Sequence, residues 1–407
     1  MATPYRELFD TPGTRALALA GLIARVPLPM TGIGIITLSA VKGSYALAGA
    51  VSAVFVFTYA VVSPQVSRLV DRHGQGRVLP LATAISIAGL LLLAVSTFAQ
   101  APDWMLFAGA LLAGCMPSVS AMVRARWTAL HRGRPQLQTA FSLETVFDEL
   151  SFIAGPPIAV ALSIGLLPQA GVLAAAVLLA VGVAALVAQR GTEPAVETNA
   201  LAQGRQRSMI ALPGVRWLVL LMLAMGIIVG TIDITSVAFT ASLGQPAAAS
   251  LVLSAYALGS CAAGLLFGAR VFPFPLHRLL LWGGVATALT TLPLLYVAAV
   301  VPLALAVLVA GLFFAPTMIV AMSLIERQVP AHRVTEGMTW LLAGLNVGVA
   351  AGAASSGQAV DRMEPSAGFV VALGAGGLVL ISALMASRAL ARLDRVEPIA
   401  RTVTDAG

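Results

Sequence analysis

The polar residues of this sequence are confined to short stretches between long apolar runs. A membrane-crossing helix needs about 20 mostly apolar residues. Runs of that length occur near 15–39, 45–66, 79–99, 104–125, 138–162 and 167–188, and again near 214–240, 246–268, 279–299, 302–325, 337–358 and 367–387. Two groups of six with a polar gap between them predict an all-α integral membrane protein with 12 transmembrane helices in two six-helix pseudo-symmetric halves. The halves cover residues 1–190 and 214–387; 191–213, with Glu193, Glu197, Arg205 and Arg207, reads as a cytoplasmic linker, and 388–407 as a cytoplasmic tail.

Composition supports lipid as the solvent. Hydrophobic residues make up 59% of the chain and charged residues 10%, against roughly 25% charged in soluble proteins. The net charge of +7 does not point to nucleic acid, because the basic residues form neither a block nor a basic helix with interleaved aromatics. With an even helix count and the N-terminus inside, every basic residue except Arg25, Lys42 and Arg362 falls at a cytoplasmic end, loop or tail, which orients the chain with both termini in the cytoplasm. Arginine supplies all the basic side chains but Lys42, as in GC-rich bacterial genomes, so a bacterial inner membrane is expected. Glu7 and Asp10 precede the first apolar run and no cleavage site follows it, so that run is expected to stay as a helix. Cys115 and Cys261 lie inside apolar runs, which favours small buried hydrophobes over a disulfide or metal site.

An internal repeat recurs at a spacing near 197 residues: Ala113-Gly114 matches Ala310-Gly311, Ser142 matches Thr339, and Gly155 matches Gly352, while Pro117 and Pro316 are two residues out of step. Between the second and third runs the chain reads Ser67-Arg-Leu-Val-Asp71-Arg72-His-Gly74-Gln-Gly76-Arg77. This resembles the signature loop of the major facilitator superfamily, Gly-x-x-x-Asp-Arg-x-Gly-x-Arg, with Ser67 in place of its first glycine. The resemblance implies a secondary transporter with no cofactor. It also implies a gating loop, Asp71, Arg72, Gly74 and Arg77, whose acid meets the start of helix 11 near Thr335–Gly337, where free N–H groups and the helix dipole favour an anion. A loop that merely obeys the positive-inside rule is the alternative. The equivalent loop between helices 8 and 9 has no acid, so a single latch is expected. The motifs of drug and proton antiporters fail: their helix 4 arginine falls on Ala110, and two helix 5 glycines are replaced by Ser151 and Ala159.

A charge at the centre of a membrane helix costs at least roughly 2.5–3.5 kcal/mol, so it needs a partner or a wet cavity. Arg25, Glu144, Asp148, Glu149 and Asp233 are the charges placed within spans. Arg25 and Asp148 lie at matching depth, and Pro27 and Pro29 predict a distorted helix 1 beside them. Glu144 and Asp148, four apart, share a helix face, whereas Glu149 is rotated by about 100°. The expectation is that one of Asp148 and Glu149 pairs with Arg25 while the other, or Glu144, exchanges protons. A network that only ties helix 1 to helix 5 is the alternative. Asp233 reads as a gate residue or a substrate contact, and Thr31, Met116, Tyr256, Thr339, Trp340 and Asn346 as candidate cavity residues. The four histidines fall in loops or at helix ends, leaving coupling to carboxylates, and no phosphate loop for ATP occurs.

The function expected is alternating-access transport of a small organic solute by a monomer that also engages a proton and membrane lipid, with proton exchange driving export. Uptake or uniport by the same fold is the alternative. No catalytic residue, metal or nucleic-acid partner is expected. A polytopic membrane enzyme would need a catalytic Asp, Glu or His in an interfacial loop, and of these only Asp103, Asp361 and Glu364 fall outside. A sensor or scaffold is the third reading, and no sizeable soluble domain favours it.

Overall fold

A computed structural model describes residues 3–40, 45–196, 208–245, 248–270 and 272–404, without the side chains of 3, 39–40, 45–46 and 390–404. The expectations for Lys42, Glu197, Arg205 and Arg207, and for the side chains of the basic tail, fall outside these residues. Among the described residues all regular structure is helical. Among the described residues, eleven segments are long and apolar enough to cross a membrane, from Thr14–Leu38 to Pro365–Ala389.

The twelfth span is the expected helix 4, which is broken into α6 (Trp104–Ala113) and α7 (Val119–His131). Pro117 offers no backbone donor. The preceding turn tightens, with Cys115 N–H on Leu112 O at 3.1 Å and Met116 N–H on Ala113 O at 3.2 Å, and Ser118 then leaves helical geometry. Neither piece spans alone, but together they do. In helix 1 only the hydrogen-bond ladder is interrupted, between α2 (Thr14–Arg25) and α3 (Pro27–Ala40), because Pro27 and Pro29 each lack a helix donor. Val26 keeps helical dihedrals (φ −55°, ψ −35°), and Thr14–Leu38 forms one span. A short helix, α1 (Thr3–Leu8), precedes it and buries Leu8 fully.

The remaining helices are α4 (Tyr45–His73), α5 (Gln75–Phe98), α8 (Gln136–Gly165), α9 (Ala170–Ala188), α10 (Pro213–Ser242), α11 (Ala248–Gly268), α12 (Leu276–Leu289), α13 (Val300–Gln328), α14 (Val334–Arg362) and α15 (Phe369–Thr404). Helix α15 runs on past residue 387, where the last apolar run ends.

The chain divides into two units, residues 1–206 with 331–343 and residues 207–330 with 344–407. The first unit therefore includes the opening segment of α14. Its apolar core packs Ile35, Leu38, Val51, Phe55, Leu90 and Leu106 around Ala110 and Ala113. Ala110, where antiporters of this resemblance carry arginine, is fully buried there and has no room for a longer side chain. Small residues set the spacing: a Cβ on Gly89 would lie 2.2 Å from Ala113 N, and one on Gly182 2.5 Å from Ala24 Cα. In the second unit the seam between α10 and α14 is built from glycines. A Cβ on Gly226 would lie 2.1 Å from Leu345 O, on Gly230 2.0 Å from Val349 O, and on Gly348 2.0 Å from Leu223 O. Without a hydrophobic drive between helices in lipid, such backbone approach is what lets dispersion hold them.

Candidate functional site

Four charged residues of the first unit converge where helices 1 and 4 meet α8. Arg25, the last residue of α2, is 4% exposed. Its Nε donates to Gly21 O at 3.0 Å, and its Nη1 donates to Glu144 O at 3.0 Å and to Asp148 Oδ1 at 2.9 Å. Its Nη2 donates to Glu144 Oε2. Gly21 keeps this space open, since a Cβ there would lie 2.9 Å from Val123 Cγ2 and 3.3 Å from Arg25 Nη2. The ring of Phe147 lies 5.7 Å from the guanidinium carbon.

Asp148 also accepts from Arg124 Nη2 at 2.7 Å and from Ser120 Oγ at 2.6 Å, both on α7. Glu144 accepts from Trp127 Nε1 at 2.9 Å. Two arginines and two carboxylates thus balance to zero net charge, as low-dielectric surroundings require. Beside them lies a cavity of about 20 Å³ lined by Arg25, Tyr59, Met116, Ser120, Asp148 and Ser151, room for about one water. Asp148 reaches it with 15% of its side chain exposed, whereas Glu144 is sealed.

Of the expected site residues, Arg25, Glu144, Asp148 and Met116 come together here. Asp148, one of the two expected partners, does hold Arg25, and Glu144 shares the arginine with it; Glu149 is half-buried. Thr31 is buried and donates to Pro27 O at 2.8 Å within its own helix. Asp233, Tyr256 and Asn346 belong to the second unit. There Asp233 is half-buried with no polar side-chain contact among the described residues, and the Tyr256 ring packs 5.9 Å from Phe314.

Arg124 and Arg126, assigned by sequence distance to a cytoplasmic end, are both fully buried because α7 continues to His131. Their signal was the spacing: Ser120, Arg124 and Thr128 recur every four residues on one face of α7. Arg126 ties α7 to the neighbouring loops, donating to Gln75 Oε1 at 2.7 Å and Thr192 Oγ1 at 2.8 Å.

The loop after α4 forms a second cluster within the same unit. Gly74 adopts φ 87°, open to glycine, and caps α5. Asp71 Oδ2 accepts the Glu336 N–H at 2.9 Å in the first turn of α14. Glu336 is itself held by Arg333 and, at 3.6 Å, by Arg68. Ser67 and Thr339 share a hydrogen bond at 2.7 Å, which explains why a small polar residue serves where the signature has glycine. Thr339 therefore sits at this junction, and Trp340 next to it in sequence is half-buried. Arg72 is half-buried and Arg77 exposed. Glu193, at the head of the linker, accepts the Gly76 N–H at 2.8 Å and so caps α5 from the other side. A cavity of about 240 Å³ lies between these elements, lined among others by Asp71, Gln75, Thr128, Arg132 and Thr335.

Comparison with known proteins places this architecture. No curated protein matches the sequence. The human organic anion transporter MFSD10 superposes with a TM-score of 0.68 at 17% identity, over 92% of this chain and 99% of its own. The Escherichia coli fucose:proton symporter FucP gives 0.69 at 14%, over 92% and 98%. A bacterial homologue of the iron transporter ferroportin, in an outward-facing state, gives 0.71 at 16%, over 92% and 99%. The sequence profile of the Major Facilitator Superfamily matches residues 17–244 and 220–403, nearly the whole chain. This multi-pass membrane protein therefore belongs to the major facilitator superfamily of transporters.

Proposed function

We propose that this chain is a proton-coupled secondary transporter of a small organic solute, seated in the bacterial inner membrane with both termini in the cytoplasm, and that the Arg25 cluster is its coupling site. One observation carries the reading: a proline-interrupted helix 1 and a broken helix 4 of the first unit meet at two buried arginines and the two carboxylates paired with them. Irregular backbone at membrane depth is tolerated beside protein or water, and discontinuous helices mark the binding region in many transporters. Alternating access then needs an element with two arrangements. Asp148 supplies it, because its carboxylate pairs with both Arg25 on α2 and Arg124 on α7 and, unlike that of Glu144, which also joins these helices through Arg25 and Trp127, reaches a cavity. A proton on Asp148 weakens both ion pairs and frees helices 1 and 4 to move. Asp71 on the first turn of α14 acts in this reading as a latch on the cytoplasmic side.

The test uses everted membrane vesicles carrying a preset proton gradient and a panel of organic solutes of each charge. At least one solute class is expected to move protons in vesicles bearing the wild-type protein, and not with Asp148→Asn recovered at the same level as a monodisperse protein. Proton movement undiminished in Asp148→Asn refutes the coupling assignment. The sign of the proton movement reads the direction.

A further inference from the structure

Resting on the transporter reading above, the two arginines of the cluster differ in a way that names the solute's chemistry. Arg25 uses all three guanidinium nitrogens on protein acceptors. Arg124 is fully buried but uses only Nη2, on Asp148 Oδ2 at 2.7 Å and weakly on Thr145 Oγ1 at 3.5 Å. Its Nε and Nη1 have no partner among the described residues. Buried donors left unfilled are costly, and a guanidinium has no acceptor capacity, so only an acceptor can fill them. Arg124 does not itself line the cavity, but the Asp148 carboxylate that it holds does, so a half-empty arginine one ion pair from a cavity offers a place for a negatively charged or strongly accepting group.

We infer that the transported solute carries an anionic group that docks on Arg124, and that a proton enters the cluster with it. The cavity touches Arg25, Ser120 and Asp148, while Arg124 lies one turn beyond Ser120, against Asp148. A solute anion coming from the cavity reaches Arg124 by displacing the Asp148 carboxylate. The cluster is neutral beforehand, so a further negative charge in apolar surroundings must be compensated. The displaced carboxylate takes the proton: an O–H bond forms on Asp148 as its ion pair with Arg124 breaks. Proton and solute then move together, in place of the exchange expected from the sequence.

The groups that bear on this titration come from every neighbouring helix. They are Arg25 on α2, Tyr59 on α4, Arg124 on α7, Glu144 and Glu149 on α8, and His131, whose ring stacks on Trp127 at 5.8 Å. Helix α1, which also packs on α8, brings Tyr5, Arg6 and Glu7. Burial pushes the Tyr5 phenol up to about 12, so it stays neutral near neutral pH. Helices α3 and α9 bring no titratable side chain.

Thermal unfolding of the full chain in lipid nanodiscs tests this, at constant ionic strength, with nitrate, benzenesulfonate, benzenesulfonamide and benzylammonium as probes. The two anions are expected to raise the unfolding temperature and the other two not. Their apparent affinity is expected to be at least tenfold higher at pH 5.5 than at pH 7.5. Arg124→Lys, which keeps the charge but loses Nε and the second Nη, should lose the anion effect while remaining folded, and the exposed Arg278→Gln should retain it. Equal stabilisation by neutral or cationic probes, anion binding insensitive to pH, or binding intact in Arg124→Lys overturns the inference. So does the absence of any anion effect in the wild type. Solute-driven proton movement in vesicles would then still uphold the transporter reading, and its absence alongside anion binding would sink that reading alone.

Discussion

The interface of helices 1 and 5 and its repeat partner, the interface of helices 7 and 11, solve one packing problem by opposite means. Displaced by the repeat spacing of about 197, Arg25, Arg124, Glu144 and Asp148 become Met222, Ala321, Leu341 and Leu345. The first unit thus joins its helices through ion pairs, and the second through glycine-backed close contact at Gly226, Gly230, Gly344, Gly348 and Gly352. The backbone differs in parallel. Helix 4 is broken around Pro117 and the hydrogen-bond ladder of helix 1 is interrupted at Pro27 and Pro29, whereas α10 is continuous and α13 runs unbroken through Pro316. A glycine seam has one arrangement, because its contacts are backbone on backbone. An ion-pair seam can exchange partners when a proton or an anion arrives. In the function we propose, the asymmetry gives coupling to the first unit and a fixed packing surface to the second.

The largest effect should come from blocking the fixed seam. Gly348→Leu places a Cβ 2.0 Å from Leu223 O, backbone that cannot swing aside, so it should cost about 3 kcal/mol or more and yield no monodisperse protein on size exclusion. Next is Arg25→Met, the second unit's residue placed singly into the first. It leaves Glu144 and Asp148 buried with one arginine between them, and should cost about 3–5 kcal/mol, seen as a large drop in unfolding temperature. Smaller is Asp71→Ala, which removes the acceptor from the first turn of α14 for about 1 kcal/mol. Hydrogen exchange should quicken over residues 334–343, which belong to the first unit, and stay slow over 344–352 at the glycine seam. Equal quickening in both segments would mean that the two seams are not independent.

Helix number was legible because span length and hydropathy follow directly from the thickness of a bilayer. The interruption in helix 1 was legible too, since Pro27 and Pro29 act locally whatever surrounds them. The break in helix 4 was not: Gly114 to Ser118 lies inside an apolar run, and hydropathy carries no information on backbone direction. That break also hid Arg124, because depth in the membrane was judged from the distance to the end of a run that in fact continues to His131. Helix periodicity correctly put Glu144 and Asp148 on one face. The Arg25–Asp148 pair was reachable from their matching depth, whereas Glu144's share in the arginine depended on how α2 crosses α8, which no local pattern encodes. The Asp71 contact was reachable through the signature loop, whereas the Glu193 cap on α5 had no local signal.

The most direct test converts one seam into the other. The quadruple variant Arg25→Met, Arg124→Ala, Glu144→Leu and Asp148→Leu removes every charge of the cluster together, and replacing a whole buried ion-pair network with apolar residues is commonly neutral or stabilising. The account predicts a monodisperse protein with an unfolding temperature near that of the wild type and no solute-driven proton movement in everted vesicles across the solute panel. Proton movement at wild-type rates in this variant would contradict it.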